Sequence, residues 1–410
     1  MKKKISIVFP IIFVILSCSV MKSQSIDSGK EMLTTEITQI EKKKFFNGFA
    51  VSVVNEKGTL YEKGFGLADV SEHKKYTENT IQNIASVSKT FVGIALLKAQ
   101  ELGKLKLDDP VEKYLPFAIV NPHFPDEKIT IRHLANHTSS IADNEYYLSK
   151  NYILRPNQKL EGIKMNFDEQ VFNPRESMVS MESLLKEMLT KGGKWYTKES
   201  FLNQKPGAIY EYSNVGTALT ALVIEKATGK PFNKFAKEYI LKPLKMSASG
   251  WKADEVDFTN YSRLYEKPDV LLPYYEIITY PDGGLITSVH DLSKFLTELI
   301  RGYNGKGALL SAESYKEYFR PQLSASNYTE RKENNPYDET YNIGIFIGFG
   351  HTGYIGHTGG DPGVMSIMFF DPKTNIGRIM VFNTDFSDKK GNDAFYGIWN
   401  ILEKYQSKLK

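Results

Sequence analysis

Apolar positions with a β-strand pattern lie near both ends of the chain. Around the turn "NEKG", β-branched and aromatic residues such as Val51, Val53 and Tyr61 predict a hairpin. Near the C-terminus, "VMSIMFFDPKTNIGRIMVFN" has two apolar runs on either side of a turn and predicts a second hairpin.

Helical patterns flank these two hairpins. Residues 30–43 predict a helix before the first hairpin. A closing helix places Phe395, Ile398, Trp399 and Leu402 on one face. We therefore expect the N- and C-terminal strands to share one antiparallel sheet, which the two terminal helices cover.

The middle of the chain, about residues 105–245, has mostly helical patterns. Apolar residues from Met181 to Leu189 repeat at helical spacing, and "NVGTALTALVIEKATGK" predicts an apolar helix that ends at Gly229. Residues 144–175 are polar and lack periodicity, which predicts a long loop or insertion. The predicted fold class is α+β: an antiparallel sheet with terminal helices, plus a helical subdomain.

One predicted helix, from Ser86 to Leu102, is apolar nearly all round and is therefore expected to be buried. It opens with Ser86, Ser88 and Lys89, although a buried lysine is unfavourable without a partner. Ser86 and Lys89 are three residues apart and share one helix face. A serine hydroxyl needs a neighbouring base, and a buried lysine with a depressed pKa can be that base. The alternative is a capping serine with a solvent-facing lysine.

Two distant stretches carry further candidates. Tyr212 and Asn214 stand just before the apolar helix of the middle segment, where a phenol can transfer protons and an amide can orient a substrate. Their alternative roles are a buried aromatic residue and a helix cap. His357, Thr358 and the following two glycines precede an apolar strand, where glycine lets a substrate approach the backbone. The alternative there is a glycine-rich turn.

These three stretches together resemble the serine penicillin-recognising family. That family includes class C β-lactamases, D-alanyl-D-alanine carboxypeptidases and related esterases, with the motifs S-x-x-K, Y-x-N and K/H-T-G. Here the motifs read "SVSK", "YSN" and "HTG", and stretches such as "TIRHLANHTSSI" and "PDGGLITSVHDLSKFL" also resemble family members. The resemblance spans most of the chain from residue 45 to 402. It implies a β-lactamase/transpeptidase-like fold with the site between sheet and helical subdomain.

The resemblance also implies roles for single residues. Ser86 would be the nucleophile that forms an acyl-enzyme, and Lys89 and Tyr212 would share proton transfer. Asn214 would orient the substrate amide, and the backbone N–H groups of Ser86 and Gly360 would bind the oxyanion.

The third motif departs from many β-lactamases. His357 and Thr358 would face a substrate carboxylate, beside Gly359. Many β-lactamases have lysine where this chain has His357, and histidine is largely neutral at pH 7 unless a neighbour raises its pKa. This favours a peptidase or an esterase over an efficient β-lactamase.

Composition and the remaining motifs give no indication of a nucleic-acid partner, a metal ion or a cofactor. Of the net charge of +4, three charges belong to the first lysines, so nothing indicates a nucleic-acid partner. His133 and His137 have a metal-like spacing without a third ligand, and Asp282 in "YPDGG" is interpreted as a turn former. We expect no metal and no cofactor.

The first 18 residues have the basic start and apolar run of a secretory signal peptide. The single cysteine, Cys18, follows "ILS", which resembles a bacterial lipoprotein cleavage box. Ordinary cleavage near "KSQS" is the alternative. We expect an exported protein, periplasmic or anchored to a membrane through a lipid on Cys18.

The sequence thus predicts an exported serine hydrolase domain over residues 30–402, which acts through a covalent acyl-enzyme on small-molecule or peptide amides or esters. A D-stereospecific peptidase or carboxypeptidase and an esterase are the activities that we expect. The competing hypothesis is an envelope protein of the same fold that binds β-lactams or peptides as a sensor without turnover.

Overall fold

A computed structural model describes residues 27–329, 342–350, 352–386 and 388–409. The predicted signal peptide and Cys18 lie outside the described residues. The helices are α1 (27–41), α2 (Lys89–Glu101), α3 (Ile131–Ala135), α4 (Glu145–Lys150), α5 (Met181–Leu189), α6 (Asn214–Thr228), α7 (Phe232–Ala236), α8 (Val289–Tyr303), α9 (Ala312–Tyr318) and α10 (Lys389–Tyr405).

The strands are mostly short outside the first and last thirds of the chain. They are β1 (Gly48–Asn55), β2 (Gly58–Asp69), β3 (Lys74–Lys75), β4 (Ile81–Asn83), β5 (Tyr152–Leu154), β6 (Asn166–Phe167), β7 (Gln170–Val171), β8 (Tyr265–Lys267), β9 (Val270–Leu271), β10 (Tyr275–Ile277), β11 (Ile286–Ser288), β12 (Asn342–Ile343), β13 (Gly348–Phe349), β14 (Ile355–Asp361), β15 (Val364–Asp371) and β16 (Ile376–Phe382).

The main sheet joins the two ends of the chain. Its order is β12-β13-β14-β15-β16-β1-β2-β3, and the neighbouring strands are antiparallel. The predicted hairpins β1–β2 and β15–β16 meet where β1 pairs with β16, with Val51 opposite Met380. The predicted α+β class, with one antiparallel sheet that combines N-terminal and C-terminal strands, is therefore confirmed.

Both faces of the sheet are covered by helices. On one face, Val51 and Val53 of β1 pack with Leu33 of α1 and Ile398 of α10. On the other face, alternate residues of the same strands pack with the apolar side of α8, including Phe295. Successive strand residues point to opposite faces, so an apolar residue at nearly every position of β1 is buried on one side or the other.

The middle segment contributes the helices on the other side of the predicted site from the sheet. Helix α6 is buried nearly all round and ends at Gly229, whose φ of 68° is the left-handed conformation that glycine favours at a helix end. Residues 144–175 differ from the predicted loop, because they contain α4 and the strands β5, β6 and β7. Elements this short show no periodicity, and β5 pairs with β10, which is distant in sequence. The subdomain bounds of 105–245 stay a prediction.

Among the described helices, none combines the length and the hydropathy that a bilayer-spanning segment requires.

Candidate active site

The candidate nucleophile lies on a tight turn that leads into the buried helix α2. A 3-10 turn, Ala85–Ser88, precedes α2, and Ala85 has a positive φ of 47°. This conformation is unusual for a residue other than glycine, and such strain is concentrated at functional sites. The Ser86 side chain does not cap the helix, and Lys89 is 0% exposed. The alternative of a capping serine with a solvent-facing lysine is therefore wrong.

The Lys89 amine contacts three oxygen atoms. Its Nζ donates to Ser86 Oγ at 2.9 Å, to Asn214 Oδ1 at 2.7 Å and to the Asp282 carbonyl oxygen at 2.7 Å. The amide and carbonyl oxygens only accept, so they hold two N–H bonds of Lys89 in either protonation state. The remaining position of the nitrogen faces Ser86 Oγ. In the neutral amine that position is a lone pair, which can accept the hydroxyl proton.

Burial and the neighbouring carboxylates have opposite effects on the pKa of Lys89. Burial lowers the pKa of the Lys89 amine, while the carboxylates of Asp282, Asp143 and Asp361 raise it. Burial also raises the pKa of Asp282 to about 7, against the effect of Lys89. The Asp282 carboxyl is 2% exposed and accepts a hydrogen bond from Tyr147. Lys89 is thus biased toward the neutral form that a base requires.

The second motif faces the same pair. Tyr212 is half-buried, and the centre of its ring lies 5.2 Å from Lys89 Nζ. Tyr212 and Ser86 line the same cleft, of about 850 Å³. Behind Tyr212 lies the ring of His137, 4.6 Å away between centroids. The structure thus brings Ser86, Lys89, Tyr212 and Asn214 together.

An aspartate that sequence reasoning missed fixes the Asn214 side chain. Asp143 accepts hydrogen bonds from the backbone N–H groups of Asn214 (3.0 Å) and Val215 (2.9 Å), from the Ser213 hydroxyl (3.1 Å) and from Asn214 Nδ2 (2.7 Å). A carboxylate only accepts, so Nδ2 of Asn214 must face Asp143 and Oδ1 must face Lys89. Asp143 also neutralises the N-terminal end of α6, where a negative charge is favourable.

The third motif lies on β14, beside the nucleophile. A Cβ atom on Gly359 would be 2.9 Å from the Ser86 nitrogen and 2.7 Å from the Ile84 carbonyl oxygen, so only glycine fits between strand and turn. A Cβ atom on Gly360 would meet only Met365 Sδ, at 3.7 Å. Thr358 and Gly360 are exposed to the cleft.

His357 lies in an environment that favours its neutral form. Burial lowers the pKa of His357 to about 4, the charge of Lys89 adds to this effect, and a hydrogen bond with the Thr358 carbonyl opposes it. His357 is therefore neutral at pH 7, and this environment does not favour a cationic anchor for a carboxylate. Another carboxylate, Asp361, ends the same strand and accepts a hydrogen bond from Tyr152 at 2.8 Å. Burial raises the pKa of Asp361 to about 6.

The histidines with metal-like spacing have other contacts. His133 Nδ1 accepts the Thr130 N–H, and His137 Nδ1 accepts the Ser213 N–H. Within the described part of the chain, no group of three His, Cys, Asp or Glu side chains is arranged to hold a metal ion.

Comparison with known proteins agrees with this geometry. The family model described as "Beta-lactamase" matches residues 33–403, which is most of the chain. The chain belongs to this β-lactamase family. Its relatives and structural neighbours are penicillin-binding and β-lactamase-like serine hydrolases, so the predicted family is confirmed.

A curated relative of this chain differs widely from it in sequence. Protein flp of Staphylococcus aureus (strain MW2) is 24% identical over 362 residues, covering 87% of this chain and 64% of flp. The chain thus spans just under two thirds of the length of that relative.

Two solved structures share the architecture of this chain. The octameric penicillin-binding protein homologue from Pyrococcus abyssi aligns with a TM-score of 0.66 and 22% identity, covering 91% of this chain and 77% of that one. The β-lactamase/D-alanine carboxypeptidase from Yersinia pestis aligns with a TM-score of 0.65 and 18% identity, covering 94% and 99%. At these identities the likeness establishes the shared fold.

Proposed function

We propose that the protein hydrolyses esters or amides through a covalent acyl-enzyme on Ser86. The observation that carries this proposal is the contact of the fully buried Lys89 amine with Ser86 Oγ at 2.9 Å. A buried amine whose other two N–H bonds have fixed acceptors is poised to take the serine proton.

In the proposed acylation step, Lys89 accepts the hydroxyl proton of Ser86. The oxygen adds to the substrate carbonyl carbon, and the negative charge that forms on the carbonyl oxygen is stabilised by the backbone N–H groups of Ser86 and Gly360. The bond from carbon to the leaving group then breaks. The leaving group takes the proton from Lys89, directly or through the Tyr212 hydroxyl.

In the proposed deacylation step, water attacks the acyl carbon and loses its proton to the same pair of side chains. The Ser86 oxygen leaves and recovers a proton, so the free acid is released and the enzyme is regenerated. If this second step is slow, the protein holds its acyl group and acts as a sensor.

The test combines a chromogenic acyl ester with a fluorescent penicillin. We expect ester turnover that is lost in Ser86→Ala and retained in Ser88→Ala, whose hydroxyl is buried and accepts the Leu285 N–H. A stable Ser86-dependent adduct without turnover favours the sensor. Turnover or labelling that persists in Ser86→Ala contradicts the proposal.

Export is the second part of the proposal, and it rests on the first 18 residues. We propose that the chain is cleaved before Cys18 and carries a lipid there, which would anchor it in the cell envelope. Palmitate labelling of the full chain in a bacterial host tests this. Label that is absent from Cys18→Ser supports lipidation, and an unlabelled protein cleaved near "KSQS" favours simple secretion.

A further inference from the structure

The described lining of the cleft lacks cationic side chains. None of the described residues that line it is a lysine or an arginine. Lys89 lies beneath Ser86 and is fully buried. His357 lines the cleft but is neutral at pH 7, because its pKa is about 4.

The one described acidic side chain of the lining, Glu403, is ionised. Burial raises the pKa of its carboxyl, but the Tyr354 hydroxyl and the neighbouring Arg378 lower it further than burial raises it. A substrate carboxylate in this cleft would thus lose its hydration without a cation in the described lining to pair with, because the buried Arg378 guanidinium already pairs with Glu403.

The far end of the cleft is aromatic. Four rings there, from strand β15, helix α10 and the segment before β14, form a surface that we call the aromatic shelf: Tyr354, Phe369, Tyr396 and Trp399. Tyr396 is 56% exposed, and the rings of Phe369 and Trp399 meet edge to face at 6.4 Å. Such a surface favours flat apolar groups.

The backbone of β14 opens a path from Ser86 to the aromatic shelf. Across the β14–β15 ladder, Gly356 lies opposite Phe369, Thr358 opposite Ile367 and Gly360 opposite Met365. Directly opposed residues point to the same face, and Met365 and Phe369 pack on the α10 side. Because Gly360 is exposed and a Cβ atom there would meet only Met365 Sδ, at 3.7 Å, a substrate group can lie over the strand at this position.

We propose that the cleft selects esters or amides with an uncharged aromatic or alkyl group, which lies over β14 on the aromatic shelf, and discriminates against substrates with a free carboxylate there. This inference rests on the proposed hydrolase function and narrows its substrate class. The cleft volume of about 850 Å³ is sufficient for such a group.

The experiment compares two chromogenic esters that differ at the end of the acyl chain. 4-Nitrophenyl hexanoate is uncharged, and the mono-4-nitrophenyl ester of adipic acid carries a carboxylate on a chain of similar length. We expect kcat/KM to favour the hexanoate by at least about tenfold, from the unfavourable burial of the carboxylate. Equal values, or a preference for the adipate, would overturn the inference.

A charge introduced on the shelf should reverse part of this preference. Tyr396→Arg is expected to narrow the ratio of the two kcat/KM values by at least about fivefold, because a cation then faces the carboxylate. Met32→Arg adds the same charge on α1, outside the cleft, and should leave the ratio unchanged. If Tyr396→Arg leaves the ratio of the two kcat/KM values unchanged, the substrate group does not bind on the aromatic shelf as we propose.

The two proposals fail in different ways. If Ser86→Ala abolishes hydrolysis of both esters but the hexanoate is not preferred, the hydrolase stands and the substrate class is overturned. If neither ester is hydrolysed in a Ser86-dependent manner, both the proposed hydrolase function and the proposed substrate class are contradicted.

Discussion

Two buried basic side chains lie behind residues that line the cleft, and they are held in different ways. Lys89, 0% exposed, meets a hydroxyl, an amide oxygen and a backbone carbonyl, each within 2.9 Å. Arg378, 1% exposed, lies over the rings of Tyr354 and Trp399, with centroids 4.9 and 4.2 Å from its Cζ. Its Nη1 atom is 3.0 Å from a Glu403 carboxylate oxygen.

The difference separates the chemical role that we propose for Lys89 from a structural role of Arg378. An arginine guanidinium does not lose its proton in proteins, and stacking on aromatic rings uses its flat faces. A lysine amine can lose a proton when it is buried. In Lys89, the N–H bond that would be lost is the one that faces the Ser86 hydroxyl. A buried basic side chain therefore does not by itself indicate an active site. The informative feature is that the group which can lose a proton contacts a serine hydroxyl.

The largest expected effect follows from replacing each cation by methionine. Lys89→Met should reduce kcat at least about a thousandfold, because the base for Ser86 is removed. Its unfolding free energy should be unchanged or higher, because a buried polar amine, which is costly to remove from water, is replaced by an apolar group of similar length. Lys98→Met, on the solvent side of the same helix, should keep its activity. Steady-state kinetics and urea unfolding measure both quantities.

Arg378→Met should give the opposite result. We expect a loss of about 2 kcal/mol in unfolding free energy, from the lost ring and carboxylate contacts. Hydrolysis of 4-nitrophenyl acetate, whose short acyl group depends least on the aromatic shelf, should change less than about threefold. A Lys89→Met enzyme that remains active, or an Arg378→Met enzyme that is stable and inactive, would reverse the assignment of the two cations.

The next effect concerns the approach of β14 to the catalytic end. Gly359→Ala should lower kcat/KM about a hundredfold, because its Cβ would be within 3 Å of Ser366 Oγ, the Ile84 carbonyl and the Ser86 nitrogen. Gly360→Ala meets only Met365 Sδ and should lose less than about tenfold. Equal losses for the two variants would show that the contact with the Ser86 turn is unimportant.

A smaller effect is expected from the carboxylate that orients Asn214. Asp143→Asn should lower kcat at least about tenfold with little change in KM, because the Asn214 amide loses its preferred orientation toward Lys89. Asp126→Asn removes an equal charge at an exposed position and serves as the control. A change in KM alone would assign Asp143 to substrate binding.

The smallest effect is a shift in pH dependence. Activity should rise with pH as Lys89 loses its proton, and the nearby Asp282 carboxylate raises the pKa of that amine. Asp282→Asn should therefore move the acidic limb of the kcat/KM profile to lower pH. A shift to higher pH would contradict the proposed coupling, and Asp269→Asn, at an exposed position, should leave the limb in place.

Local patterns were sufficient to predict the hairpins, the terminal helices and the three motif stretches. Lys89 in an apolar helix indicated that a buried amine requires a partner, and the resemblance of all three motifs to a known family then gave the prediction of a catalytic pair with Ser86. The aromatic shelf could not be predicted in this way, since it combines β15, α10 and a loop whose residues separately resemble ordinary core.

The missed carboxylates show what local patterns leave out. Asp143 lies 71 residues before Asn214, in a stretch without periodicity, so nothing in the sequence relates the two. Asp282 does lie at a turn, as predicted, yet its backbone carbonyl binds Lys89 and its buried carboxyl acts on the pKa of the same amine. A backbone carbonyl has no residue signature, and the burial of a turn depends on the long-range packing of the chain.

The most direct test is to map the site of covalent attack. A neutral 4-nitrophenyl alkylphosphonate releases nitrophenolate when a serine oxygen attacks phosphorus, and it leaves a stable phosphonyl ester on that oxygen. Peptide mass mapping should find one phosphonyl group on Ser86, none in Ser86→Ala, and at least about hundredfold slower labelling in Lys89→Met. Labelling of another residue, or an unchanged rate without the lysine amine, would contradict the account.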